Sequence, residues 1–128
     1  MADYKHSNIT EKMIGCALKV HNKLGSGFPE IIYHRALEIE LKKQGIEFVS
    51  EQAMPVYYEG EKIGTRRVDF LVQNKVMVEI KAVSELQDGH TAQIINYLEA
   101  FGLEVGLLLN FGAKRMEIKR YINTTDKR

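Results

Sequence analysis

The sequence predicts an α/β fold in which a mixed β-sheet is flanked by helices, in the order ααβββαββ. Three observations lead there. Apolar residues recur at helical spacing from about Ile9 to Leu41. After Gly45 the pattern changes to a period of two, which holds to about Val83. A further helical stretch from about Asp88 to Phe101 then precedes two short strand-like runs.

The first helix runs from about Ile9 to Leu24, with Ile14, Ala17, His21 and Leu24 at helical spacing beside Met13 and Leu18. Asn8, with Glu11 three residues on, resembles a capping box, and Gly25-Ser26-Gly27 ends the helix. Pro29 fits the first turn of a second helix, where its missing N–H costs nothing. Tyr33, Leu37 and Leu41 form that helix's apolar stripe, and Gly45 is its stop. Ile46 to Val49 is a short strand start, Ala53 to Tyr58 a strand, and Glu59-Gly60-Glu61 a turn. Ile63 to Val72 is the next strand, followed by a tight turn at Gln73-Asn74-Lys75. Val76 to Val83 is apolar on both faces except at Glu79 and Lys81, as a central strand should be. Asp88 or Thr91 caps a third helix that ends at Gly102. Val105 to Asn110 is a buried strand, and Met116 to Ile122 a last one of alternating polarity.

A chain of 128 residues suits one domain, 1–128, with a core over about residues 9–122. Its 45% hydrophobic and 27% charged residues are ordinary for a globular protein. The single cysteine, Cys16, has no internal disulfide partner, and no apolar run approaches the roughly 18 residues that span a bilayer. The first residues lack the apolar stretch of a signal peptide, so the expected location is the cytoplasm, with no membrane partner. A protein that coats DNA by bulk charge is usually much more basic than this net charge of +1, whereas an enzyme needs only a local basic groove, so the total charge does not select the substrate. The run from Lys114 to Arg120, with Lys127 and Arg128, is locally basic; it reads as a solvated strand face with a tail, or as a phosphate-tracking patch.

The chemistry lies in the middle strands. In Arg67-Val68-Asp69-Phe70-Leu71-Val72, alternation turns Asp69 away from Val68, Phe70 and Val72. In Val78-Glu79-Ile80-Lys81-Ala82, Glu79 and Lys81 share one face. A hairpin through Gln73–Lys75 brings Asp69 towards Glu79. Charges inside an apolar strand are costly unless partnered, and two carboxylates this close repel unless a cation joins them. Magnesium prefers such oxygen ligands, and a bound ion would polarise a phosphodiester and activate a water. Lys81 would position that water or neutralise charge building on the phosphate. The plain alternative is that these are solvated strand charges, since Asp followed by Glu-x-Lys also arises by chance.

The Asp69…Glu79-x-Lys81 set on a hairpin resembles the PD-(D/E)XK nuclease superfamily. Within it, Gly27-Phe28-Pro29-Glu30-Ile31-Ile32-Tyr33 is similar to the Gly-x-x-Glu-x-x-Tyr (GxxExxY) signature of the family named after it. Val20-His21-x-x-Leu24-Gly25-x-Gly27, Pro55-Val56-Tyr57-Tyr58, the stretch from Ala92 through Asn96-Tyr97-Leu98, and Gly106-Leu107-Leu108-Leu109-Asn110-Phe111-Gly112 resemble that family too, in order, over about residues 9–122. The resemblance implies a restriction-endonuclease-like fold. It also implies magnesium or manganese held by Glu30, Asp69, Glu79 and the backbone carbonyl of Ile80, with Asp69, Glu79 and Lys81 catalytic. Gln93 and Tyr97 are similar to the Gln-x-x-x-Tyr motif of the RecB-like branch, near the site and the nucleic acid; their i, i+4 spacing puts both on one helix face.

Other readings stay open for single residues. Glu30 also fits a first-turn glutamate favoured by the helix dipole. His21 is either a satisfied core histidine or a residue that orients Glu30 or touches phosphate. Tyr33 is half core and half site, its hydroxyl needing a partner. Arg67 either contacts phosphate or is a solubility charge, and Gln93 and Tyr97 either line the site or pack on the sheet. The expected function is thus a metal-dependent nuclease acting on DNA or RNA. Its rival is a module on the same fold that binds nucleic acid or protein with little or no catalysis. A homodimer is compatible with a domain that reads only a short stretch of nucleic acid.

Overall fold

A computed structural model describes residues 5–123 of the chain; Lys127 and Arg128 of the basic tail lie outside them. The elements are α1 (Ser7–Leu24), α2 (Glu30–Lys43), β1 (Phe48–Tyr58), β2 (Glu61–Val72), β3 (Val76–Lys81), α3 (Asp88–Phe101), β4 (Val105–Asn110) and β5 (Glu117–Ile122). This is the expected order. The five strands form one sheet, β1-β2-β3-β4-β5, antiparallel except between β3 and β4. Parallel neighbours need a crossover, and α3 supplies it. The mixed sheet with flanking helices is restriction-endonuclease-like.

Burial along β4 separates the two faces. Val105, Leu107 and Leu109 pack with Met13, Ala17 and Val20 of α1 and with Tyr33, Leu37 and Leu41 of α2. Leu108 turns the other way, to Met77 of β3 and to Ile94 and Leu98 of α3. α3 comes close because Gly106 has no side chain: a Cβ there would lie 3.1 Å from Ile94 and 3.2 Å from Leu98. α2 closes with a Schellman pattern, Gly45 N–H bonding to the Lys42 carbonyl and Ile46 N–H to the Leu41 carbonyl. Gly45 takes the positive φ of +67° that this stop requires.

Several local expectations need correction. α1 begins at Ser7, so Asn8 lies inside it and forms no capping box with Glu11; the His6 carbonyl instead receives the Ile9 and Thr10 N–H groups. Pro29 precedes the first turn of α2 as its N-cap. α3 is capped by neither Asp88 nor Thr91. Gln87 and His90 bond reciprocally, each side chain accepting the other's backbone N–H. The two short strand readings at residues 46–49 and 53–58 merge into β1, bent at Glu51, whose φ is +54°.

β3 stops at Lys81, two residues early, because the Val83 N–H turns to Asn110 Oδ1 instead of a ladder partner. The alternation in β2 also breaks. Phe70 and Val72 face α1 and α2, but Val68 packs on the α3 side with Met77. The strand therefore changes face at Asp69, opposite the bend at Glu51.

Candidate active site

β2 and β3 pair at Phe70–Val78, Leu71–Met77 and Val72–Val76. One step further in that register, Asp69 stands opposite Glu79, and there side chains replace the backbone ladder. Asp69 N–H donates to Glu79 Oε2 at 2.9 Å, and Ile80 N–H donates to Asp69 Oδ2 at 2.7 Å. The strands fork, and each carboxylate spends one oxygen on the other strand's backbone. Asp69 Oδ1 and Glu79 Oε1 remain available to a further partner.

Three neighbours complete the fork. Lys81, the last residue of β3, donates from Nζ to Gln93 Oε1 on α3 at 3.2 Å. Glu30, the first residue of α2, lines a cavity of about 240 Å³ with Ile31, His34, Glu51 and Asp69. His34, one turn after Glu30, is buried. It stacks on Phe70 at 4.3 Å and holds Nε2 2.7 Å from Ser50 Oγ. Its Nδ1 lies 3.7 Å from Asp69 Oδ1, an electrostatic contact too long for a hydrogen bond.

The electrostatics describe a site short of positive charge. Burial pushes the Glu79 carboxyl up to about 8; the Asp69 charge adds to this, while the Asp69 N–H bond and Lys81 oppose it. Asp69 is raised chiefly by burial, against the Ile80 N–H, His34 and Lys81. Glu30 is raised by burial and then by Asp69, with Lys81 and His34 opposing. Among the described residues, no group of three or more His, Cys, Asp or Glu side chains stands arranged to grip an ion. The donor chemistry nevertheless fits a hard divalent cation: paired carboxylates whose mutual repulsion only added positive charge relieves.

The structure thus brings together Glu30, Asp69, Glu79, Ile80, Lys81 and Gln93. Arg67 stands at the rim, its guanidinium 3.7 Å from the Glu51 carboxylate. Tyr33 is fully buried and stacks on Phe111 at 4.8 Å. Its hydroxyl donates to the Gly25 carbonyl and accepts the Phe28 N–H, tying down the loop that delivers Glu30. Tyr97 packs against Phe101 and the α3-side core. His21 holds Nε2 3.0 Å from the Ala113 carbonyl and, among the described residues, makes no hydrogen bond to Glu30.

Sequence reasoning missed His34 and Glu51. His34 carried a signal, being four residues from Glu30 on one helix face. Glu51 carried none, because its placement depends on the bend in β1.

A second missed group sets the end of β3. Asn110, fully buried, accepts the N–H groups of Val83 and Gly112 on Oδ1 and donates to Glu117. Glu117 also accepts the Leu86 N–H. Phe111 N–H bonds to the Lys81 carbonyl at 2.8 Å. Gly112 lies so close that a Cβ would sit 2.4 Å from Ala82 C and Val83 N. The Asn110-Phe111-Gly112 segment is therefore a clamp on the chain that leaves Lys81.

Comparison with known proteins agrees with this architecture. The profile of the PD-(D/E)XK nuclease superfamily matches residues 7–121. The crystal structure of SSO0001 superposes with a TM-score of 0.59 at 22% identity, over 75% of this chain and 50% of that one. The chain thus spans about half the length of that relative, and at this identity the likeness is one of fold. No curated protein matches the sequence.

Proposed function

The chain belongs to the PD-(D/E)XK nuclease superfamily, and from that premise we propose that it is a metal-dependent phosphodiesterase hydrolysing DNA or RNA at the fork between β2 and β3. The observation that carries this reading is the pair Asp69 and Glu79, buried side by side with Lys81 and Gln93 against them. Within the superfamily, the Gly27…Glu30…Tyr33 signature supports a place in the GxxExxY group. Cys16, free and buried, fits a reducing cytoplasm.

In this mechanism Glu30, Asp69, Glu79 and the Ile80 carbonyl would hold magnesium or manganese. The ion when bound supplies a polarised phosphate and a more acidic water. The protein's own part is positional. Backbone N–H bonds fix the rotamers of Asp69 and Glu79, so their second oxygens stay aimed without reorganising. Gln93 steers the Lys81 ammonium, which faces the charge that builds on the phosphate. Tyr33 holds the Gly25–Phe28 loop and so sets where Glu30 enters. Tyr97 and Arg67 border the path of the nucleic acid.

One observation favours a second reading, a binding module that cuts little: both central carboxylates are already satisfied in part by backbone N–H groups. A cleavage assay separates the two. Single-stranded, duplex and branched DNA and RNA are offered with magnesium, manganese or chelator, beside Lys81→Ala prepared in parallel. The nuclease reading expects metal-dependent cleavage that falls about a hundredfold or more in the variant. Cleavage equal in both proteins is contamination, and none in either, with both folded, favours the binding module. Sedimentation of the same samples reports whether a homodimer is the working unit.

A further inference from the structure

The clamp that ends β3 also carries two cations. After Gly112 the chain turns through Ala113, Lys114 and Arg115 into β5. Lys114 and Arg115 are exposed, and neither has an ion-pair or hydrogen-bond partner among the described residues. They line a cleft of about 520 Å³ with Leu18, His21 and Asn22 of α1 and with Met116. Among the described residues, no acidic side chain lines it.

The turn is held firmly where it begins, and Glu117 beyond it accepts from the Asn110 amide and the Leu86 N–H. His21 Nε2 meets the Ala113 carbonyl, and Asn110 receives the Gly112 N–H. Phe111 bonds to Lys81 itself, and Gly112 lies against the Ala82–Val83 backbone. Arg115 is four residues past Phe111, at most about 14 Å of chain from it, and Phe111 N–H is itself bonded to the Lys81 carbonyl at the end of β3. The two cations therefore hold a set position relative to Lys81, which free surface lysines on a mobile tail would not.

We propose that this α1/β5-turn cleft binds the sugar–phosphate backbone of the nucleic acid within a few nucleotides of the scissile bond, through Lys114 and Arg115. Asn22 adds a neutral polar group, and Leu18 and Met116 form an apolar floor suited to sugar. The occupant follows from charge: two cations without an ion-pair partner and no carboxylate among the described lining residues, in a chain whose net charge is only +1. His21 then serves the nucleic acid indirectly, as the group that positions the turn.

The inference rests on the nuclease reading, and the test keeps the two apart. Binding of labelled single-stranded and duplex oligonucleotides is measured in chelator, across a salt series. The subjects are the wild type, Lys114→Ala/Arg115→Ala, the exchange Lys114→Arg/Arg115→Lys, and Lys42→Ala/Lys43→Ala as a charge-matched control at the far end of α2. The alanine pair should bind about tenfold more weakly. Its log affinity against log salt should flatten by about 0.7 to 0.9 for each phosphate no longer neutralised. The exchange should largely restore both quantities, and the control should match the wild type.

An alanine pair with wild-type affinity and slope overturns the cleft, as does equal weakening in the control or no binding by the wild type. Hydrolysis of the small diester bis(4-nitrophenyl) phosphate by the wild type, with Lys81→Ala as its comparison, reports the chemistry separately. Weakened binding by the alanine pair, without such hydrolysis by the wild type, keeps the cleft and removes the phosphodiesterase.

Discussion

Asp69 and Glu79 are held in place by the backbone of each other's strand, which makes their charges tolerable but not comfortable. This has a consequence for pH. Glu79 titrates near 4.5 in an unfolded chain and at about 8 in the fold. Between those values the folded protein binds more protons than the unfolded one, so stability falls as pH rises. The contribution is complete below about pH 4.5 and is lost through about pH 8, with Asp69 and Glu30 shifted in the same direction. Urea unfolding of the metal-free protein should show this decline, and Glu79→Gln, whose amide oxygen still accepts the Asp69 N–H, should flatten it. A wild-type profile that is flat from about pH 5 to 9 would mean that the fork is wetter than its geometry implies. At this scale the residues of the fork were legible because they break an apolar strand, where charge needs a reason. His34 and Glu51 were not, since their approach to Asp69 depends on a helix docking and a strand bending.

Element identities followed from hydrophobic period, whereas element ends were decided by hydrogen bonds between distant residues. β3 reads as continuing to Val83, but Asn110, 27 residues away, takes the Val83 N–H and stops it. β1 reads as two pieces, and Glu51 between them does leave extended geometry in mid-strand. The most exacting of these joints is Gly112. Its φ is not in the left-handed region, so any residue could adopt its backbone, yet a Cβ would collide with backbone atoms of Ala82 and Val83 that have no rotamer to change. Gly112→Ala should cost about 3 kcal/mol, read as a lower urea midpoint at unchanged slope. It should also lower nuclease activity under conditions where the variant is fully folded, because the displaced segment begins one residue after Lys81. Gly64→Ala is the contrast: nothing lies within 4 Å of its Cβ position, and the hairpin should accept it with little change. Equal behaviour of the two variants would show that the clamp yields.

The strand order and the one parallel pair place the fork at the end of β3 where α2 and α3 both reach it; the expected ααβββαββ order gave the elements, and only the family resemblance set Glu30 and Gln93 near the strand pair. What the order did not contain was the change of face at Asp69, which lets one carboxylate look towards α2 while Lys81 looks towards α3. A cation placed between these layers would touch groups from α2, β2 and β3 at once, so its binding should register on the stability of the whole molecule. Ligand that binds only the folded state raises stability with the logarithm of its excess over Kd, about 2.7 kcal/mol at a hundredfold excess. For a chain of this length that is a rise in Tm on the order of 10 °C. Asp69→Asn sharpens the test because two effects of opposite sign are expected. Removing one of two repelling charges, with the Ile80 N–H still accepted by the amide oxygen, should raise the metal-free Tm. The same change should abolish the further rise with magnesium or manganese. Ordinary solvated strand charges would show neither shift. A variant that still gains stability from metal would move the ion away from Asp69, and with it the proposed site of cleavage.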